Sequence, residues 1–340
     1  MTDGLFDVHL RLEKIQEKKH ALMMLNQVID WEMFRKPLET LRDKPRKSPA
    51  GAKGYDLVLL FKMLVLKTMY NLSYEEIECQ VLDRLSFMRF LDLSMGGKVP
   101  DGTTLWYFHE ELKETGLDRK LFEAFDDFLR GHGFEARKGQ IVDAAIVEVP
   151  RQHNGKEADE KIKRGEPVEG WSDARRSQKD VDARWTRKRG VLYYGYKNHV
   201  EADVEHKLIR DYAVTGASVH DGQMLEGLLD KSNRDREVYA DSAYHSAERL
   251  ARLEELGFQE RLQEQGRRNR PLSEEAKVRN AIRARIRCRI EHVFAAPTCW
   301  TRDALIRVIG LARARCTIGL RNLVYNMDRF RILSTVTQRT

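Results

Sequence analysis

Residues 139–150 read GQIVDAAIVEVP, an apolar, β-branched run with an acid, Asp143, near its centre. Apolar residues on both of its faces are the mark of a strand inside a sheet covered on both sides. Downstream the texture repeats in VLYYGYKNHVEADVEH and KLIRDYAVTGA, then in EVYADSAYHS, and a short last strand is expected over Phe258–Leu262. Between these lie a helix opened by His220-Asp221-Gly222, a second over Ser246–Leu256, and a long Arg-rich helix from Ser273 to Phe294. The order is β-β-β-α-β-α-β-α. Three leading strands followed by alternating helices and strands give an α/β fold. The expected architecture is an RNase H-like mixed five-stranded sheet with helices on both faces. Residues 151–190 are charged, turn-rich and without apolar periodicity, so they read as a long exposed loop.

Upstream the pattern is helical. Leu57, Leu60, Phe61, Leu64 and Val65 recur at helical spacing, and Ser73 with Glu76 forms a capping box that starts the next helix. The run Arg42–Gly54 has two prolines and no apolar stripe and reads as a basic linker. The expected division is an N-terminal helical segment and linker over 1–54, an all-α domain over 55–135, whose short helices and tight turns suit a helix-turn-helix DNA reader among other uses, and the α/β domain over 136–335.

Composition narrows the function. Four widely spread cysteines without a CxxC pair exclude a disulfide framework, and Cys288, His292 and Cys299 match no standard zinc spacing. The N-terminus has no basic-then-apolar export signal, and the longest apolar run, Leu57–Met69, is interrupted by Lys62 and Lys67. That run is too short to span a bilayer, so a cytoplasmic chain with no membrane association is expected. The net charge is +7, and the stretch Arg261–Arg289, with ten Lys/Arg and three Glu, carries an equal excess by itself. Such a stretch can neutralise phosphates, or it can be a solvated helix face.

Three acids stand where metal-dependent phosphoryl transfer needs them. Divalent magnesium is a hard cation that takes oxygen ligands, and two such ions can serve one in-line displacement. Asp143 sits mid-strand, Asp241 at the end of the fourth strand, and Glu291 on the last helix. An ionised Asp in a core strand is unfavourable unless something pairs with it. Each has an ordinary alternative: an outward-facing side chain for Asp143, a helix N-cap for Asp241, and pairing with Arg287 for Glu291.

The segments DAAIVEVPRQHN, YYGYKNHVEADVEHKLIRDYAVTGASVHDGQ, VYADSAYHS, RCRIEHVF and IRVIGLARARCTIGLRNLVYN resemble, in order, those of bacterial insertion-sequence transposases of the insertion-sequence-five group. The stretch Tyr55–Leu112 is similar to the helical domain that accompanies them. The resemblance covers roughly residues 50–330. It implies a DDE transposase acting on double-stranded DNA, both the element's terminal inverted repeats and target DNA, and a homodimer in the DNA complex. It implies Asp143, Asp241 and Glu291 as catalytic and metal-binding residues, with two Mg²⁺ ions and Mn²⁺ as a substitute. His199, His220 and Asp221 become supports of the site, and Lys197, Trp185, Arg184, Lys188, Arg283 and Arg287 candidate DNA contacts. One departure stands out. Ala284 and Thr298 occupy the family's usual Tyr and Lys positions, with Arg285 or Arg302 as possible substitutes for the Lys. A DNA endonuclease without strand transfer, and an inactive DNA-binding descendant, are the rival readings.

Overall fold

The computed structural model describes residues 7–18, 20–42, 54–266, 271–300 and 305–337. Most of the basic linker, and Arg302, lie outside the described residues. The chain divides into two compact units, Met1–Phe128 with Gly319–Thr340, and Leu129–Ile318.

The first unit is helical. Asp56 opens the apolar helix Leu57–Tyr70 by accepting the N–H groups of Val58 and Leu59. The Ser73/Glu76 capping box is present in both directions and opens the helix Tyr74–Asp83. Trp31 and Phe34, from the segment before the linker, pack on Phe61 and Phe90, with Trp31 edge-on to Phe90 at 5.4 Å. Lys62 is buried in this aromatic cluster, with Nζ 2.7 Å from Asp92 and above the Trp31 and Phe90 rings. Burial thus makes residues 20–42 part of the helical unit. The C-terminal helix Leu311–Thr337 supplies its later turns to the same unit, where Phe330 meets Phe125 and Phe128.

The second unit is built on one sheet of six strands: β1 (Gln140–Glu148), β2 (Arg184–Lys188), β3 (Val191–Asp203), β4 (Ile209–Gly216), β5 (Glu237–Tyr239) and β6 (Gln259–Glu260). β1, β3 and β4 are antiparallel neighbours, and β5 and β6 continue parallel to β1. This is the expected mixed sheet with one strand added. Val142, Val238, Ala240, Tyr244, Leu225, Leu228, Leu253, Phe258 and Leu262 form a core against it.

The additional strand corrects the reading of 151–190 as an exposed loop. That segment holds the helices Lys156–Arg164 and Asp173–Ser177 and then β2, which pairs with the first half of β3. Its anchor is Asp180, 2% exposed, whose carboxylate accepts the Tyr196 hydroxyl and the backbone N–H groups of Asp182 and Ala183. One buried acid therefore does what apolar periodicity does elsewhere. The β2–β3 connection is two residues, Arg189 and Gly190, both at positive φ, as a tight hairpin of this twist requires. Two other expectations need correction. The last strand shrinks to Gln259–Glu260, and the Arg-rich helix is interrupted: Glu274–Arg287 passes through a 3-10 turn, Cys288–Ile290, into Glu291–Trp300.

Gly195 is the residue at which β3 passes from β2 to β1, pairing with Arg184 on one side and Glu148 on the other. Its φ is +152°, and a Cβ there would run into the Val147 carbonyl oxygen. Gly195→Ala is expected to destabilise the unit by about 2–4 kcal/mol, as a strained backbone position with a main-chain clash does. Chemical denaturation of wild type and variant measures this, and hydrogen exchange should show the loss centred on β1 and β3.

Candidate active site

The parallel pairing of β1 with β5 sets the site. Gln140 lies opposite Val238 and Ile141 opposite Tyr239, a constant offset of 98 residues (238 − 140). Carried two residues further, the same offset brings Asp241 abreast of Asp143 (241 − 143 = 98). The two carboxylates interact: the charge of Asp241 helps to raise the pKa of Asp143.

Asp143 is 17% exposed. Its Oδ1 accepts the N–H of Ala144, and its Oδ2 lies 2.8 Å from the Arg287 guanidinium. Burial is the main cause that pushes its pKa above the usual carboxylate value, and the Asp241 charge adds to it. The Ala144 N–H, Arg287 and, from the β2–β3 hairpin, Lys188 pull the other way. Asp241 follows β5 and caps the 3-10 turn Ser242–Tyr244, its Oδ1 accepting the Ala243 N–H at 2.8 Å. The capping alternative and the convergence with Asp143 therefore hold together.

Tyr244, 1% exposed, carries a buried hydroxyl with no hydrogen-bond partner among the described residues. Burial raises its pKa, and so do the charges of Asp143, Asp221 and Asp241. Sequence reasoning missed Tyr244, although its place three residues after Asp241 was a signal. It also missed that Arg287 is the counter-charge of Asp143.

Glu291 is exposed and begins the helix after the 3-10 turn. Arg287, four residues earlier, gives its ion pair to Asp143, so the alternative of a local pairing with Glu291 does not form. Among the described residues no three His, Cys, Asp or Glu side chains are grouped to hold a metal. The structure brings Asp143 and Asp241 together and leaves Glu291 outside the pair, with Arg287 supplying positive charge in between.

Lys197, His199 and Asp221 form a second assembly. Lys197 Nζ donates to the Val219 carbonyl at 2.7 Å and lies 2.8 Å from Asp221 Oδ1. His199 is fully buried, with Nε2 2.9 Å from Thr215 Oγ1 and Nδ1 3.9 Å from Asp221. Burial lowers its pKa to about 4, so it is neutral at physiological pH. In the register Asp143 faces Val200, whereas Ala144 faces His199 and Ile146 faces Lys197. Directly opposed residues share a face, so Lys197 and His199 lie on the side of the sheet away from Asp143. The expectation that they support Asp143 directly is corrected. They hold the turn Asp221–Gln223, which packs on the Asp241 turn Ser242–Tyr244. Arg249 joins the two turns by donating to the Tyr244 carbonyl while its guanidinium lies against Gly222. His220 is exposed, and its Nδ1 caps Gly222.

The other expected DNA contacts divide. Arg184 is spent on the carbonyls of Val181, Ala183 and Ile162. Arg283 bonds the Leu262 carbonyl and pairs with Glu260 and Glu264. These two, like Arg287 and Lys197, make contacts within the fold. Lys188 is exposed, and Trp185 is 41% exposed, resting on Tyr194 with Arg151 over its ring. Of Thr298 only the helical backbone is described.

Residues 135–327, more than half of the chain, match the family model of the transposase DDE domain, and residues 10–111 match that of a transposase domain (DUF772). A solved chain from a piggyBac transposase synaptic complex with hairpin DNA aligns at a TM-score of 0.47 and 10% identity, over 93% of this chain and 75% of that one.

The raised pKa of Asp143 has a consequence for stability. The folded state carries the ionised group at a cost that is absent below the ordinary value of 3.8 and complete above the raised folded value. Asp143→Asn, in buffer with a chelator, is therefore expected to melt above wild type at pH 7. The gain should shrink as pH falls and vanish once both states are protonated. Thermal melts across pH measure it, and a lower melting temperature for the variant at pH 7 would show that the Arg287 pair outweighs burial.

Proposed function

The chain belongs to the DDE transposase family, and on that premise we propose that Asp143, Asp241 and Glu291 are the carboxylates of its catalytic site. DNA is its substrate, and divalent-metal dependence comes with the family. The observation that carries the residue assignment is the alignment of Asp143 with Asp241, reinforced by the mutual charge of the two groups. Glu291 enters from the helix that follows Arg287, whose guanidinium already reaches Asp143.

The donor set suits a hard cation. A buried carboxylate with a second beside it calls for positive charge, and here Arg287 provides it. Asp143 and Asp241 would hold the metal, with Glu291 joining them, and Mg²⁺, two ions, is the proposed species, with Mn²⁺ able to replace it. When bound, such ions activate the attacking oxygen and stabilise the leaving one. The chain's own residues do the rest. Asp143 and Asp241 are held by main-chain N–H groups, so their carboxylates keep their orientation without cations. Lys197, Asp221 and Arg249 fix the two turns that carry and support Asp241. In the first step water attacks the phosphodiester at the element end and the 3′-oxygen leaves. In the second the freed 3′-hydroxyl attacks a phosphodiester of target DNA, joining to its phosphorus as the target's own 3′-oxygen leaves. No protein side chain becomes covalently bound to DNA.

We assign the recognised DNA to the element's terminal inverted repeats, with Lys188 and Trp185 on the exposed hairpin as contacts near the reacting strand. Handling two ends together calls for a homodimer. The substrate places the work at the bacterial nucleoid in the cytoplasm.

Two experiments test this reading. Asp143→Ala, Asp241→Ala and Glu291→Ala should each abolish cleavage of duplex DNA carrying the element end while leaving its binding intact. Retained cleavage in all three would overturn the assignment. Cleavage without joined target product would favour an endonuclease, and binding unaffected by metal or by these substitutions would favour an inactive descendant. Separately, Lys197→Met and Asp221→Asn should each lower kcat about 10–100-fold, the scale for residues that orient metal ligands. The Mg²⁺ requirement should rise and DNA affinity stay unchanged. A loss of DNA affinity instead would mean that Lys197 contacts DNA.

A further inference from the structure

The helix Glu274–Arg287 turns its inner side to the protein through Ala276, Arg283 and Arg287. Its outer side is a stripe at coiled-coil spacing: Glu275, Val278, Ile282 and Arg285. Val278 is 60% and Ile282 56% exposed, two β-branched apolar residues one turn apart with the small, exposed Ala281 beside them. Neither the Glu275 nor the Arg285 side chain forms a hydrogen bond or ion pair with another described residue.

We propose that this stripe is the surface on which a second copy of the chain docks, through the same helix running antiparallel. The argument is self-complementarity. A two-fold axis at Asn280 sets Val278 against Ile282 of the other copy, and Ile282 against Val278. The same axis sets Glu275 opposite Arg285 at both ends. An isologous contact requires a patch that is its own complement, and an acidic start, apolar centre and basic end supply it. Ten residues separate Glu275 from Arg285, about 15 Å of helix, so both charge pairs form together around one apolar centre. DNA fits the stripe less well. A phosphate backbone following it would meet the Glu275 carboxylate and would leave two apolar side chains facing charge. The proposal rests on the transposase reading for its purpose, since the helix that would pair the copies also leads to Glu291 and holds Asp143.

The test is sedimentation of the full chain, alone and with duplex DNA carrying the element end, for wild type and four variants. Wild type should form a dimer in at least one condition. Ile282→Asp should leave it monomeric in both. Glu275→Arg and Arg285→Glu should each weaken the dimer by about tenfold or more, because each turns two attractive pairs into repulsive ones. The double variant Glu275→Arg/Arg285→Glu should recover the dimer, which also shows that the helix still folds. A wild-type monomer throughout, or variants that dimerise as tightly as wild type, overturns the proposal. So does weakened DNA binding with unchanged assembly, which would assign the stripe to DNA. Cleavage of a single end, measured in parallel, keeps the two readings apart. Its loss in Asp241→Ala speaks for the catalytic assignment, whatever the stripe variants do.

Discussion

The ion pair between Asp143 and Arg287 joins the centre of the sheet to the basic helix, and the rest of the site is arranged around it. An acid 17% exposed in a central strand is a liability by itself. Its partners are of two kinds. The Ala144 N–H is fixed by the backbone, whereas Arg287 arrives from 144 residues away and brings the helix with it. The same reach delivers Glu291 one turn later. A salt bridge that is partly buried contributes little net stability once desolvation is subtracted. Its value lies in registry: it determines which turn of the helix stands over which residue of β1.

The second constraint is the parallel register of β1 and β5. An offset of 98 residues is the difference between Asp143 and Asp241, and a slip of one residue would turn one carboxylate to the other face. The short β5 cannot enforce that register alone. The turns beyond it help, because Lys197 fixes Asp221, Arg249 lies on Gly222 and bonds the Tyr244 carbonyl, and Asp241 caps its own turn. The buried Tyr244, whose carbonyl takes the Arg249 bond, has a hydroxyl without a hydrogen-bond partner among the described residues.

The strands were legible because their apolar periodicity is the force that forms them. Asp143 stood out because a core strand disfavours an acid, and Asp241 because it ends a strand. β2 was illegible for the opposite reason. Its residues, Arg184 to Lys188, are polar, and the segment is fixed by Asp180, a single buried acid that no periodicity announces. Lys197 and His199 were correctly placed on one face, but which face depends on pairing with β1, and one-dimensional alternation cannot supply that. The helix break at Cys288–Ile290 was hidden as well, since the residues around it continue a helical pattern.

The basic stretch Arg261–Arg289 shows why charge counted along a chain is a poor guide to where charge is displayed. Arg261 pairs with Glu237, Lys277 with Glu274, Arg279 and Arg283 with Glu264, and Arg287 with Asp143. Arg261 and Arg287 are satisfied by acids elsewhere in the chain, whereas Lys277, Arg279 and Arg283 pair with glutamates of the stretch itself. Among the described residues, most of the cations that read as a phosphate-binding block are therefore spent, some on pairs inside the stretch and some on ties to the sheet. What the helix still offers outward is Val278, Ile282, Glu275 and Arg285, an apolar centre between opposite charges. Phosphate recognition needs cations of one sign along a track. A pattern that reverses sign across its midpoint is suited to meeting its own copy.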